Sequence, residues 1–349
     1  MPVTEKNTVK EINLTEQQKQ LVNTAKKIHK ENNGKDAWFG RCVFLSWYCS
    51  RGTCDFCFRS TQKHKINFSE NARRSKPSIY SEALISKKLG WKLEFLTGGY
   101  DVYTFKEITE FAKICTEIFQ EKIWVNLGAI NKDDLKKLSP YLDGVVASLE
   151  TINPELHKKT CPDKPIEPYL EMLNEAKKLG IKTGITIVLG LGETIKDYEL
   201  TKKIIEDYDV KRITYYALRP VNNTPYKKGP EPEDVIEWIA RTRIDFPKIE
   251  IMAGTAVTRL PEIKHFLNAG ANGFTKLPAT KIFGSKLAKK IHEEVKLAGR
   301  NFKSEFLELG KPEWEKDVKE VSLNEEDKKD LLAKLNDYEV KTLLKDKNF

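Results

Sequence analysis

Long apolar segments are missing from this 349-residue sequence. No run approaches the ~20 apolar residues that a membrane helix needs, so we expect no membrane span. The N-terminal stretch MPVTEKNTVKEINLTEQQKQ also lacks the apolar core of a signal peptide. These two absences predict a cytoplasmic protein that does not associate with a membrane.

Internal repeats and a strong charge bias are missing as well. The lack of a repeat of about 20–50 residues argues against a solenoid. With 40% hydrophobic and 32% charged residues, the chain has enough apolar material for a large core. The net charge is only +9, and lysines are interleaved with acidic residues, as in KKIIEDYDVKR. This is typical of solvated helix faces, so we expect no nucleic-acid partner, although the charge is compatible with an anionic substrate.

What the sequence does contain is a regular alternation of short apolar runs and helical patterns. Continuous apolar strands are typical of parallel sheets, because helices cover both faces. Strands are predicted at 42–48, 93–97, 123–127, 145–149, 183–189, 213–218, 249–252 and 273–276. Helices are predicted at 81–89, 105–119, 168–179 and 194–208. A further amphipathic helix, with Thr15 and Gln18 in capping-box spacing, is predicted to run to about Asn32.

This alternation predicts an α/β fold, a (βα)8 TIM-type barrel. A prior of about 150 residues per domain allows two domains instead. We favour one barrel at 37–285, with an N-terminal helical extension at 1–36 and a C-terminal helical extension at 286–349, because motifs follow successive strands. The motifs are a cysteine-rich segment, TGGYD (97–101), ASLET (147–151) and GLGET (190–194). They should converge on the end of the barrel where the strands terminate, which we call the mouth.

Three of the six cysteines lie within nine residues, in the spacing Cys-x4-Cys-x2-Cys. A disulfide scaffold is implausible in a long, lysine-rich chain without a signal peptide. The thiolates of Cys49, Cys54 and Cys57 can hold three irons of a [4Fe–4S] cubane, with Gly52 allowing a tight loop. The fourth iron then stays open for a substrate or cofactor.

Three other interpretations of the cysteines remain. The first is a plant-type [2Fe–2S] centre, whose fourth ligand would be the distant Cys115. The second is a zinc site completed by Cys42 or His64. The third is a set of inert core thiols. Cys42 and Cys115 are predicted inside a strand and a helix, whereas Cys161 follows the fourth strand, and none of these three has an assigned chemistry.

The cysteine loop after the first strand resembles that of the radical S-adenosylmethionine (SAM) enzymes, where the usual spacing is one residue shorter. Phe56 stands between the last two cysteines, where the family commonly has an aromatic residue. TGGYD resembles the Gly-Gly-Glu segment that binds the SAM amino group. Tyr100 stands where Glu is usual, so the resemblance leaves this contact to Tyr100, to the backbone of Gly98 and Gly99, or to Asp101.

The stretch from 148 to 194 resembles the biotin synthase and HydE branch of that family. It has the acidic residue followed by Thr and PEL, and later the GLGET turn. The resemblance implies that Ser148 and Glu150 contact the sugar or methionyl part of SAM, and that Gly190 and Gly192 allow a close approach to adenine. The alternatives are a salt bridge at the strand end for Glu150 and an ordinary turn for the glycines.

Two more segments, FLSWYC…GTC.FC and GANGFTKLPA, resemble the HcgA/HmdB-type proteins linked to the iron-guanylylpyridinol cofactor of [Fe]-hydrogenase. The family implies a [4Fe–4S] cluster, SAM chelated at the open iron, reductive cleavage to a 5′-deoxyadenosyl radical, and an external one-electron donor of the flavodoxin or ferredoxin type. We therefore expect a radical SAM enzyme of cofactor biosynthesis. The alternatives are a sulfur-inserting enzyme like biotin or lipoyl synthase, and an iron–sulfur electron-transfer or zinc-stabilised binding protein.

Candidates for binding a small, anionic substrate follow strands six and seven. They are Tyr215, Tyr216, Arg219, Asn222, Thr255 and Arg259. Arg219 can grip a carboxylate with two hydrogen bonds, although an ion pair at the barrel rim is the alternative. His157 and His265 lie in helical patterns and are predicted to be surface residues.

Overall fold

The computed structural model describes residues 12–340, and its centre is a closed parallel barrel. The strands follow one another around the barrel from β2 to β8, and β1 closes it by pairing with both β2 and β8. Their bounds are β1 (Asp36–Phe44), β2 (Lys92–Thr97), β3 (Ile123–Asn126), β4 (Leu142–Glu150), β5 (Lys182–Leu189), β6 (Val210–Ala217), β7 (Glu250–Gly254) and β8 (Gly273–Thr275). The predicted TIM-type (βα)8 barrel is confirmed.

Helices alternate with the strands and cover the outside of the barrel. They are α1 (Glu16–Asn33), α2 (Lys76–Lys88), α3 (Phe105–Phe119), α4 (Lys132–Leu138), α5 (Pro154–Thr160), α6 (Glu167–Lys178), α7 (Tyr198–Asp207), α8 (Pro232–Asp245), α9 (Ile263–Asn268), α10 (Ala279–Ile282), α11 (Lys286–Leu297), α12 (Trp314–Lys319) and α13 (Glu325–Tyr338). Short 3₁₀ helices occur at Lys63–Lys65, Ser69–Ala72, Ile195–Asp197 and Val257–Glu262. No helix within 12–340 has the length and apolar character that a membrane crossing requires.

The first strand is displaced from its predicted position. It begins at Asp36 and ends at Phe44, whereas the sequence predicted 42–48. Leu45 and Ser46 are buried although they lie beyond the strand, and the Leu45 amide still donates to the carbonyl of Thr97 at 2.8 Å. The apolar run therefore continues into the loop, and hydrophobicity alone does not mark where the strand ends.

The two extensions pack on the barrel. The capping box of α1 is confirmed, since the Gln18 amide donates to Thr15 Oγ1 at 3.2 Å and the Thr15 amide donates to Gln18 Oε1 at 3.1 Å. The C-terminal extension, which was predicted to be helical, contains α11, α12 and α13 and also a strand. A short strand, β9 (Asn301–Phe302), pairs in parallel with the start of β1. A two-residue strand has no periodicity from which it could be recognised.

Inside the barrel, the lower part is filled by aromatic and polar side chains. Trp124 packs where Gly144 and Gly184 leave room, because a Cβ on Gly144 would lie 2.4 Å from its ring. Above it, the buried Glu94 carboxylate accepts from Cys42 Sγ at 3.1 Å and from Thr214 Oγ1 at 2.9 Å. This filling closes the barrel beneath the mouth, where the candidate site lies.

Candidate active site

The cysteine-rich loop connects β1 to α2 and lies across the mouth. Cys49, Cys54 and Cys57 are all free thiols and all half-buried. The Cys57 amide donates to the Cys54 carbonyl at 3.1 Å, and Gly52 adopts φ 44°, so the loop turns tightly between the cysteines. Burial raises the pKa of the Cys57 thiol, and the Arg59 guanidinium opposes this shift.

The end of β2 fits against this loop through a glycine. A Cβ on Gly99 would lie 1.8 Å from the Tyr48 carbonyl oxygen and 2.7 Å from Cα of Cys49. The Ser50 amide donates to the Tyr100 carbonyl at 3.2 Å, and its hydroxyl donates to Asp101 at 2.5 Å. TGGYD therefore holds the first cysteine in place mainly through its backbone.

The donor set on this loop fits an iron–sulfur cluster. Thiolates are the ligands that such clusters use, and the loop offers three of them without a disulfide. Within residues 12–340, no three His, Cys, Asp or Glu side chains are grouped in a way that could hold a single metal ion. The close contact of Gly99 with Tyr48 and Cys49, which we call the Gly99 cradle, keeps the loop against the end of β2.

Tyr100 does not use its hydroxyl at the mouth. That hydroxyl shares a hydrogen bond with Tyr169 at 2.5 Å and accepts from the Ala129 amide at 3.0 Å. Its ring packs on Gly128, where a Cβ would lie 2.5 Å from Cζ, and Arg51 lies 4.1 Å from the ring centroid. The side chain thus ties the end of β2 to the neighbouring loops.

Ser148 and Glu150 lie at the end of β4, as expected. Ser148 Oγ donates to Asn126 Oδ1 at 2.7 Å. Glu150 has φ 62° at a register shift and accepts from Lys164 Nζ at 2.5 Å. Burial acts to lower the pKa of Lys164, but the acidic groups around it, the Glu150 carboxylate foremost, together outweigh burial and the net shift is upward. The strand-end salt bridge is therefore present, and it lies within the mouth.

His157 is buried, so its prediction as a surface residue is wrong. One ring nitrogen lies 3.0 Å from the Thr151 carbonyl oxygen, and the other lies 2.7 Å from that of Lys164. These two carbonyls belong to the segments on either side of α5, and a helical pattern alone does not reveal such contacts. His265 is partly exposed.

The GLGET turn after β5 is held by its own glutamate. Gly190 and Gly192 have φ 104° and 129°. The Glu193 carboxylate accepts from the amides of Gly190, Leu191 and Gly192 at 2.5, 2.9 and 3.2 Å. A tight turn thus accounts for both glycines, and Leu191 faces the apolar side of the mouth.

Phe56 brings the cysteine loop to the ends of β5 and β6. It packs against an apolar cluster of Val188, Leu191 and Leu218. Its neighbour Asp55 accepts from the Tyr226 hydroxyl at 3.0 Å. The mouth therefore has an apolar wall on this side and the charged Glu150–Lys164 pair on another.

The structure corrects the substrate prediction for Tyr215. This side chain is fully buried outside the barrel, where its hydroxyl lies 2.7 Å from Thr242 Oγ1 and its ring contacts Trp238 of α8. Because side chains alternate along a strand, Tyr216 points into the barrel, where its hydroxyl donates to Glu94 at 3.4 Å. Both tyrosines were substrate candidates from the sequence, which does not show which of them faces the barrel interior.

The other substrate candidates differ in their surroundings. Arg219 and Asn222 are exposed after β6. Thr255 is buried, and its hydroxyl has no hydrogen-bond partner in the part of the chain that the structure describes. Arg259 is engaged by Glu262 at 2.8 Å, which makes it an ion pair at the barrel rim.

Lys276, which directly follows β8, is a site residue that sequence reasoning missed. It has φ 72°, and its ammonium lies 4.8 Å from the centroid of the Tyr216 ring. No carboxylate in residues 12–340 lies within ion-pair distance of it. Its side chain is exposed at the mouth, yet desolvation by the surrounding protein lowers its pKa, while the nearby Cys42, Cys57 and Glu150 act to raise it. The sequence feature that could have identified it is a lysine directly after a predicted barrel strand, where site residues of such barrels lie.

Comparison with known proteins agrees with this geometry. The family model "Radical SAM superfamily" matches residues 45–205. An uncharacterized protein of Methanocaldococcus jannaschii is 37% identical over 286 residues, which are 81% of this chain and 79% of the relative. The [FeFe] hydrogenase maturase subunit HydE of Thermotoga maritima is 28% identical over 262 residues, 72% and 73% of the two chains. Other relatives are named biotin synthase.

The fold is also shared with solved structures. The crystal structure of methylornithine synthase superposes with a TM-score of 0.68 at 21% identity and covers 83% of this chain and 90% of that chain. At 21% identity, this similarity is evidence for a shared fold only. Taken together, the barrel, the family match and the named relatives show that the chain belongs to the radical SAM superfamily, in its biotin synthase/HydE-like branch.

Proposed function

We propose that this radical SAM enzyme builds a cofactor from a small, anionic molecule bound in the barrel mouth. Enzymes of the family use a [4Fe–4S] cluster and SAM. When bound, these groups supply a 5′-deoxyadenosyl radical through one-electron cleavage of the S–C bond. The chain supplies binding, orientation and the exclusion of water.

Cys49, Cys54 and Cys57 are the proposed cluster ligands. The observation that carries this assignment is the cradle at Gly99, where only a missing Cβ lets the end of β2 lie against Cys49. A purely structural loop would not need a half-buried cysteine at that contact. The electron comes from an external donor of the flavodoxin or ferredoxin type.

The proposed SAM contacts surround this loop. The backbone of Gly98, Gly99 and Tyr100, next to Asp101, faces the amino group, because the Tyr100 hydroxyl is engaged elsewhere. Ser148 and Glu150 face the sugar or methionyl part. Lys164 Nζ lies 2.5 Å from the Glu150 carboxylate and fixes its direction.

The adenine side of the SAM site is the apolar wall. Phe56 and the turn at Gly190 flank the cluster of Val188, Leu191 and Leu218. A flat apolar wall suits a purine ring, which buries its faces and leaves its edge to polar groups. Tyr226, half-buried beside Phe56, completes this wall.

The substrate side is proposed to recognise an anion. Lys276 offers an ammonium that has no carboxylate partner within the described residues, and Arg219 lies close enough to lower its pKa. A substrate carboxylate between these two cations would relieve their repulsion. Asn222 and the unpartnered Thr255 hydroxyl are further candidates, whereas Tyr215 is not.

The pathway is proposed to be that of the iron-guanylylpyridinol cofactor. Relatives are named for biotin synthesis and for hydrogenase maturation, which supports cofactor assembly as the class of reaction. The two segments that resemble HcgA/HmdB-type proteins approach each other at the mouth, since Cys57 of the first lies close enough to Lys276 of the second to act on its pKa. Sulfur insertion has no comparable support, because Cys42 is hydrogen-bonded to Glu94 inside the barrel and Cys115 is buried in α3.

Anaerobic reconstitution with iron and sulfide tests this proposal. We expect about four irons per chain, and production of 5′-deoxyadenosine and methionine from SAM when a strong one-electron reductant is added. Liquid chromatography with mass spectrometry measures both products. A protein that binds only zinc, or two irons, and leaves SAM intact would contradict the proposal.

A further inference from the structure

The segment between β1 and α2, which carries the three cysteines, exposes three large aromatic side chains. Trp47 is 48% exposed, Phe58 49% and Phe68 67%. Within residues 12–340 no other phenylalanine or tryptophan side chain is exposed. Large apolar side chains that are exposed together in one segment mark a surface at which another molecule binds.

Hydrogen bonds join the three aromatic residues into one unit. The Trp47 amide donates to the Ala72 carbonyl at 3.1 Å, at the end of the 3₁₀ turn that Phe68 precedes. Arg59, the neighbour of the second aromatic residue, donates from Nε and Nη2 to the Ser46 carbonyl at 3.2 Å. The backbone at 46–47 thus anchors the parts of the segment from which all three rings project.

The same segment carries positive charge that nearby carboxylates do not neutralise. Residues 51–65 contain four cations, which are Arg51, Arg59, Lys63 and Lys65, and one acidic residue, Asp55. Three of these cations donate to backbone carbonyls. None of the four forms an ion pair with a carboxylate within residues 12–340. The surface beside the aromatic rings therefore complements an acidic partner.

This surface is close along the chain to the proposed cluster ligands. Phe58 directly follows Cys57, and Trp47 lies two residues before Cys49. Electron transfer slows steeply with distance, so a donor has to approach the segment that carries the ligands. The other routes are closed, because SAM and substrate are proposed to occupy the mouth and side chains such as Trp124 fill the barrel below it.

We propose that Trp47, Phe58 and Phe68, with the four cations beside them, form a docking surface for an acidic one-electron carrier protein. This inference rests on the proposed function, which requires an external electron donor. The carrier loses one electron and the cluster gains it, and no bond forms or breaks at the surface. The cations steer the carrier, and the rings exclude water from the contact. Three rings suit the small interfaces of transient electron-transfer complexes.

Binding and electron delivery test the proposal on the reconstituted holoenzyme, with an acidic flavodoxin as the probe. Calorimetry measures the Kd for oxidised flavodoxin, and mass spectrometry measures 5′-deoxyadenosine formed with photoreduced flavodoxin or with dithionite, a small reductant that needs no docking. The variants are Phe58→Ser, Phe68→Ser and Lys65→Glu. We expect each to weaken flavodoxin binding about tenfold and to slow the flavodoxin-driven reaction at limiting flavodoxin, with the dithionite-driven rate unchanged.

Matched control variants lie at the opposite end of the barrel. Leu297 is 63% exposed and Lys296 is exposed beside it, at the end of α11. The following Arg300 donates from Nε to the Lys35 carbonyl at 3.2 Å, next to the start of β1, whereas the docking surface follows the end of β1. Leu297→Ser and Lys296→Glu should bind flavodoxin like the wild type. Added salt should weaken binding of the wild type more than that of Lys65→Glu.

Four results would overturn the proposal. The first is an equal Kd in the three variants and the two controls. The second is a loss of the dithionite-driven rate in all three variants, which would make the segment a support of the cluster. The third is a wild-type dimer that dissociates in Phe58→Ser, which would make a second copy the occupant. The fourth is a single-stranded RNA that binds this surface more tightly than flavodoxin does.

Failure of this inference is distinguishable from failure of the proposed function. A wild type that forms 5′-deoxyadenosine with dithionite but binds flavodoxin no differently from its variants defeats only the docking surface. A wild type that forms none with either reductant defeats the proposed function itself.

Discussion

Single residues decide how the mouth is built, and the sequence revealed some of them better than others. The cysteine cluster and the paired glycines could be recognised as site features from the sequence, because both place unusual residue types at predicted strand ends. The sequence did not show which of Tyr215 and Tyr216 points into the barrel, because two adjacent tyrosines give no polar–apolar alternation from which to choose a face. Lys276 was overlooked because lysine is common on this surface, and only the fold places this one beside Tyr216.

Adding a single methyl group at Gly99 tests whether the Gly99 cradle shapes the cysteine loop. In Gly99→Ala the new Cβ meets two backbone groups, which cannot move aside as a side chain can. We expect a destabilisation of about 2 kcal/mol or more and a severalfold loss of iron incorporation, measured by urea unfolding and by iron analysis.

The adjacent glycine provides the control for this variant. A Cβ on Gly98 would have ordinary contacts at 3.7 Å with Leu127 and Leu45. Gly98→Ala should therefore fold and bind iron like the wild type. Equal iron contents in the two variants would show that the cradle does not shape the cysteine loop.

At the scale of elements, the extensions support the barrel from outside and below. The β9 strand and the residues after it bring Phe306 against Phe39 and Trp91, with ring centroids 5.0 and 5.1 Å apart. Trp91 Nε1 also donates to the Glu305 carbonyl at 2.7 Å. The sequence predicts the helices here but not these contacts, because a two-residue strand and a single aromatic residue carry no periodic signal.

Truncating Phe306 tests whether the C-terminal extension is part of the barrel core. Its side chain is fully buried, so Phe306→Ala should cost about 3–5 kcal/mol of unfolding free energy. Urea denaturation measures this loss. Leu297→Ala, at a residue that is 63% exposed, should stay within about 0.5 kcal/mol of wild type, and similar losses for both would refute the assignment.

The N-terminal helix α1 carries a buried histidine that makes the stability depend on pH. His29 accepts from Arg300 Nη2 at 3.0 Å, and burial, with the charges of Arg300 and Arg243, lowers its pKa to about 3. The unfolded chain binds a proton near pH 6.5, so the folded state is favoured above that pH and loses stability as the pH falls. At pH 5 the loss is about 2 kcal/mol relative to pH 7.5.

Replacing this histidine should remove that part of the pH dependence. In His29→Gln the unfolding free energy should fall by about 2 kcal/mol less between pH 7.5 and pH 5 than in wild type. Urea unfolding at the two pH values measures the difference. The exposed His64 is the control, since His64→Gln should keep the wild-type slope, and a wild-type slope in His29→Gln would contradict the account.

At the scale of the whole molecule, eight parallel strands close into a barrel, and helices from both ends of the described chain pack on it. The strand count and the convergence of the motifs could be predicted, because parallel strands bring their C-terminal ends together. The polar interior around Glu94 and the burial of His157 could not be predicted. Each of these depends on which segments meet across the barrel, and spacing along the chain does not encode that.

The central claim is that Cys49, Cys54 and Cys57 hold a [4Fe–4S] cluster with one iron open to SAM. Electron paramagnetic resonance of the anaerobically reduced protein, recorded before and after addition of SAM, tests it most directly. The account predicts a [4Fe–4S]⁺ signal that changes on SAM addition, and its loss in Cys54→Ala, with the barrel still folded by circular dichroism. A signal that is indifferent to SAM, or one that survives in Cys54→Ala, would contradict it.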